Sequence, residues 1–167
     1  SYSGIDLTDF FSYYVFDTIT HHFAIESCSF SENYAKVKIT SRTESNSNSP
    51  CANIRIPITF MDSTFNRYDS MIIDNGTREE HNFSLPFTPT AAFLDFDEEF
   101  FDLTTDSYKF ISEPGNYEFK NSYFKANVNS CQDSILIRLT LHWVGENQEQ
   151  LPEGVNRFSQ KHYWTIE

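Results

Sequence analysis

Ile135-Leu136-Ile137-Arg138-Leu139-Thr140-Leu141-His142-Trp143 is the stretch on which the fold turns. Ile135, Ile137, Leu139, Leu141 and Trp143 alternate with Leu136, Arg138, Thr140 and His142. A period of two belongs to a strand with one face in a core and the other in water. Ile137, Leu139 and Leu141 are therefore expected inside, and Arg138, Thr140 and His142 on the wet face.

The same period recurs outward from this stretch. Ala35, Val37 and Ile39 alternate with Lys36, Lys38 and Thr40, and Ile54, Ile56, Ile58 and Phe60 alternate with Arg55, Pro57 and Thr59. Phe124, Ala126 and Val128 alternate with Lys125 and Asn127. Pro57 lacks an N–H for a ladder and argues for an edge position or a bulge. Asp74-Asn75-Gly76 and Pro114-Gly115-Asn116 read as tight turns, and Glu44–Pro50 and Gln148–Asn156 as polar loops. Short strands at this spacing, without helices between them, predict an antiparallel immunoglobulin-like β-sandwich over residues 21–167.

Residues 1–20 read differently. Leu7, Phe10, Phe11, Tyr14 and Val15 fall at i, i+3, i+4, i+7 and i+8, one face of an amphipathic helix running from about Asp6 to Phe16. Ser3 or Asp6 can cap it, and it should end near Asp17. This apolar stripe is expected to be a packing surface, against a neighbouring domain, the sandwich edge or a second copy in a homodimer.

Composition narrows the partners. The chain has 167 residues, 39% hydrophobic and 22% charged, enough for a real core. Twelve Lys and Arg against 24 Asp and Glu give a net charge of −12. Without basic clusters, nucleic acid and anionic membrane surfaces are not expected partners. No apolar run is long enough for a membrane-spanning helix.

Residues able to carry chemistry are scattered. Cys28, Cys51 and Cys131 match no zinc spacing, and three thiols allow at most one internal disulfide. The histidines His21, His22, His81, His142 and His162 read as surface and loop residues. No Ser or Cys stands in a nucleophile motif. From Glu79 to Tyr108 there is no Lys or Arg, and the stretch is rich in acids. Asp95, Asp97 and Glu99 would share one side of an extended segment there. They are candidate Ca²⁺ ligands, although the EF-hand frame is absent and a solvated or partner-facing acidic patch is the competing reading. Asn75-Gly76-Thr77 and Asn82-Phe83-Ser84 fit the N-glycosylation frame, which matters only in a secreted eukaryotic protein.

Two parts of the chain resemble aminopeptidase-N-like zinc metallopeptidases of the gluzincin class. Ser3-Gly4-x-Asp6-Leu7-x-x-Phe10-Phe11-x-x-Tyr14-Val15, followed by Phe23-Ala24-Ile25, is similar to the helix that closes the catalytic domain and the strand that opens the next one. Tyr14 stands where that family usually has Trp, and Thr20-His21-His22 replaces the Gly-x-Pro link. Ile56-Pro57-Ile58-Thr59-Phe60-Met61-Asp62, Leu85-Pro86-Phe87, Leu141-His142-Trp143-Val144 and His162-Tyr163-Trp164-Thr165-Ile166 look like the post-catalytic region of a bacterial secreted or periplasmic subgroup. The resemblance implies a non-catalytic accessory domain that braces the parent's catalytic domain or shapes its cleft, outside the cytoplasm. Zinc would belong to the parent, because neither HExxH nor HxxEH occurs here. The alternative is a free-standing carbohydrate- or protein-binding module, which aromatic residues on a wet face, such as Tyr123, would favour.

Overall fold

The computed structural model describes residues 6–16, 20–43, 53–76, 78–145, 153, 157 and 159–167, without the side chains of Asp9, Phe10, Tyr13 and Tyr14. The expected cap at Ser3, the helix end near Asp17, the loop Glu44–Pro50, most of the loop Gln148–Asn156, Cys51 and Thr77 lie outside the described residues.

The described residues are mainly β and form four small antiparallel sheets. It divides into two compact units, one through Asp102 and one from Leu103. This corrects the expected immunoglobulin-like sandwich preceded by an amphipathic helix.

In unit 1, β1 (His21–Ser31), β2 (Tyr34–Thr43) and β5 (Glu79–Ser84) form one sheet in the order β1-β2-β5. A second sheet has the order β4-β3-β6, from β3 (Ile54–Met61), β4 (Arg67–Asp74) and β6 (Ala91–Leu94). Ala35, Val37 and Ile39 from the first sheet and Ile54, Ile56, Ile58, Phe60 and Ile72 from the second share one buried core with Phe23 and Leu85. The alternation in β2 and β3 thus points its apolar residues as expected.

Pro57 sits in a central strand, not at an edge. The ladder with β6 runs only from Ile58↔Leu94 to Met61↔Ala91, and the Pro57 carbonyl accepts from the Asp95 N–H at 2.9 Å. The N and O of one strand residue face the same neighbour, so the missing N–H falls where β6 ends.

Unit 2 contains the sheet β11-β10-β7, from β7 (Thr104–Ile111), β10 (Ile135–His142) and β11 (Tyr163–Ile166). Its other sheet is the hairpin of β8 (Gly115–Phe119) and β9 (Phe124–Val128). The hairpin turn docks through Ser122, whose hydroxyl donates to the Leu139 carbonyl at 3.0 Å and meets the Ser107 hydroxyl at 2.9 Å. Leu139 and Leu141 are buried and Ile137 is half-buried. Arg138, Thr140 and His142 are buried as well, against expectation, and Trp143 is exposed. The central strand of this sheet has no wet face along its second half.

The N-terminal segment makes one α-turn, α1 (Thr8–Phe11), and passes into a π-turn over Ser12–Phe16. Asp6 caps it by accepting from the Thr8 N–H at 2.9 Å. No continuous amphipathic α-helix is present among the described residues. The homodimer expected through such a helix is therefore corrected too, since the helix that would form it is absent among the described residues. Leu7, Phe11 and Val15 are all exposed, and a single turn has too few hydrogen bonds to propagate without a buried face.

Candidate functional site

The acidic stretch does not gather its carboxylates. Asp95 and Glu98 take left-handed backbone angles, with φ of 42° and 52°, so residues 95–99 turn instead of extending. The Asp95 carboxylate accepts from the Glu99 N–H at 2.8 Å and the Phe100 N–H at 2.9 Å and so organises the turn. Asp97 lies in the fork of Arg67, with Nη1 to Oδ1 at 3.0 Å and a second contact from Nη2 to Oδ2. That guanidinium holds the Asp97 carboxyl below the usual range, and it also bonds Asp69 and lies over the Phe96 ring. Glu99 is exposed. A cation at this place would meet one carboxylate committed to backbone and one already neutralised. Among the described residues, no three His, Cys, Asp or Glu side chains are placed to hold a metal ion.

The histidines depart from the surface reading. His21 and His22 open β1 and are both buried. Burial lowers the His21 pKa, and its ring stacks on Phe23. The Arg42 Nε donates to His22 Nδ1 at 3.2 Å, which leaves the proton of a neutral ring on Nε2. His142 stacks on Tyr163 with ring centroids 4.1 Å apart, and its Nε2 pairs with the Thr165 hydroxyl at 2.8 Å. These rings are built into strands.

Unit 2 carries an ion group that sequence reasoning missed. Arg138 Nη2 contacts Asp106 Oδ2 at 2.5 Å, with both side chains about 5% exposed or less, and Nη1 reaches Glu167 Oε2 at 3.4 Å. The register explains the meeting, because Thr140 pairs with Asp106 across β7 and the Arg138 and Glu167 backbones exchange two hydrogen bonds. Burial raises the Glu167 pKa, Arg138 opposes the rise and Asp106 adds to it. A lone Arg inside an apolar strand was the available signal, since a charge there stays buried only with a counter-charge.

Large apolar side chains are exposed at several places, among them two groups with a sequence or structural pattern of their own. The first is the N-terminal stripe, where Val15 is 56% and Phe16 78% exposed. The second surrounds Ser122. The Trp164 indole N–H donates to the Ser122 carbonyl at 2.8 Å, and the Trp143 indole N–H donates to the Thr105 hydroxyl at 2.9 Å. Tyr123 follows at φ 53° and is 75% exposed. Both indoles are pinned by their polar edge and remain nearly half exposed.

Cys28 and Cys131 are free thiols, and Cys131 Sγ donates to the Asp133 carbonyl at 2.6 Å. No helix among the described residues is long and apolar enough to cross a membrane. No family model, no curated protein and no solved structure matches this chain.

Proposed function

We propose that this chain is a non-catalytic accessory β region of an aminopeptidase-N-like zinc metallopeptidase, working outside the cytoplasm of a bacterium. Its task is mechanical, to brace the catalytic domain or shape the substrate cleft. The observation that carries the reading is the N-terminal stripe. Leu7 and Val15 keep a helical period, yet the segment makes only one α-turn and both side chains are about half exposed. Burying such side chains is worth roughly 1.5–3 kcal/mol each, so the pattern fits a surface completed by another domain. The residues that resemble the end of a catalytic domain are these same ones. The resemblance assigns zinc chemistry to the parent, whose HExxH motif does not occur in this chain.

The test is an immunoblot of secreted and periplasmic fractions of the source organism with an antibody against this chain. The expected result is a species far larger than 167 residues, whose immunoprecipitate cleaves a fluorogenic aminoacyl substrate and loses that activity to a chelator. A reactive species of only this size, with no peptidase activity, overturns the proposal.

The group around Ser122 favours a second reading, a module that stacks neutral sugar rings on Tyr123, Trp143 and Trp164. Quenching or enhancement of tryptophan fluorescence by neutral oligosaccharides, lost in Tyr123→Ala, supports it; an unchanged spectrum across a glycan panel removes it.

A further inference from the structure

One end of unit 1 holds polar groups where the core pattern calls for apolar ones. Ser41 lies on β2 in line with Val37 and Ile39, and Asp74 ends β4 opposite Ile54. Asp74 is fully buried, and although the Ser41 hydroxyl and the Gly76 N–H lie near enough to act on its carboxylate, neither carboxylate oxygen nor the Ser41 hydroxyl makes a well-formed hydrogen bond. We propose that this corner is a proton-sensitive latch, closed when Asp74 carries a proton and loosened when it is charged.

The neighbours set the sense of the switch. From β5, Glu79 faces the corner as a like charge, held by the Asn75 amide at 3.1 and 3.2 Å. His81 follows on the same face of β5, its Nε2 buried and 3.7 Å from Glu79 Oε2. From β1, His21 lies on the side of Phe23 and Ser41, and burial lowers its pKa. From β3 the facing residue is Ile54, and the turn contributes the Gly76 N–H at a φ of 80° that suits glycine. No Lys or Arg of these facing positions offsets the charge. A protonated Asp74 can donate to the Ser41 hydroxyl and remove both orphaned groups at once. Burial pushes the Asp74 carboxyl up to about 6, against a smaller pull from Ser41 and Gly76, and Glu79 adds to the rise.

The sign follows from linkage. A folded-state value above the unfolded value of 3.8 means the folded chain binds the proton more tightly between about pH 4 and 6. The stabilisation is complete below that window and is lost as pH rises through it. The experiment is to follow the Asp74 ¹³Cγ resonance of the full chain from pH 3.5 to 8, beside circular-dichroism melts of wild type and Asp74→Asn at pH 5.0 and 7.5. A carboxyl titrating near 6, and a wild-type melting temperature that gains more from acidification than the variant's, support the latch. A carboxyl titrating at or below 4, or the same pH dependence in both proteins, overturns it. If Asp74→Asn fails to fold, the wild-type resonance decides.

Discussion

Asp106→Asn removes the buried counter-charge of Arg138 with almost no change of shape. At an effective dielectric of about 20 and charge centres about 4 Å apart, the lost attraction is about 4 kcal/mol. Breaking a buried pair on one side costs about 3–5 kcal/mol, because the remaining charge stays desolvated. Glu167, at 3.4 Å from Nη1, retains part of the field, so the expected loss is about 2–4 kcal/mol. A unit of this size holds only about 3–10 kcal/mol in all. The assay is specific, since both tryptophans, Trp143 and Trp164, lie in unit 2 and fluorescence during urea unfolding reports that unit alone. With a slope of about 1 kcal/mol per molar urea, the midpoint should fall by about 2–4 M. The double variant Arg138→Met/Asp106→Leu should recover most of it, because it removes the orphaned charge instead of creating one. A midpoint within about 0.5 M of wild type for Asp106→Asn, or a double variant as damaged as the single, would refute the reasoning.

Leu139→Ala opens a cavity at a fully buried position beside Ser122 and should cost about 2–5 kcal/mol by the same fluorescence assay. Gly145→Ala places a Cβ 2.9 Å from the Gln160 backbone, so it should destabilise unit 2 by about 1–3 kcal/mol in urea unfolding. Arg67→Ala should cost no more than about 1 kcal/mol in thermal melts, despite its two carboxylate partners, because the guanidinium and both acids are solvent-exposed.

The strands that could be read from sequence were those with one apolar face. In β2 and β3 the residues at every second position do enter the core of unit 1. In β10 the same alternation misled, because alternation identifies which residues share a face and not whether that face is wet. Arg138, Thr140 and His142 share a face that is buried through ion pairing, stacking and hydrogen bonding to β7 and β11. Those partners lie in the chain at separations of 32, 21 and 23 residues, beyond any local pattern. The acidic stretch failed for a local reason instead. Two left-handed residues, Asp95 and Glu98, break the extended geometry that three alternating carboxylates presuppose, and neither is a glycine that would have announced the turn.

The N-terminal segment separates periodicity from helix formation most sharply. Its apolar positions repeat as a helical face should, and Asp6 supplies the cap. Nucleation is costly, however, and a short helix is marginal in water unless its face is buried. The backbone accordingly completes one α-turn and loosens into a π-turn, while Leu7, Phe11, Val15 and Phe16 stay exposed. The exposure of Leu7, Val15 and Phe16 is intelligible if the receiving surface is on another domain. The same segment should then lose its exposed apolar surface only when that domain is present. Thermal unfolding of the chain alone and of the larger polypeptide, compared after Val15→Ser, tests this. An equal effect of the substitution in both contexts would show that the segment serves this chain alone.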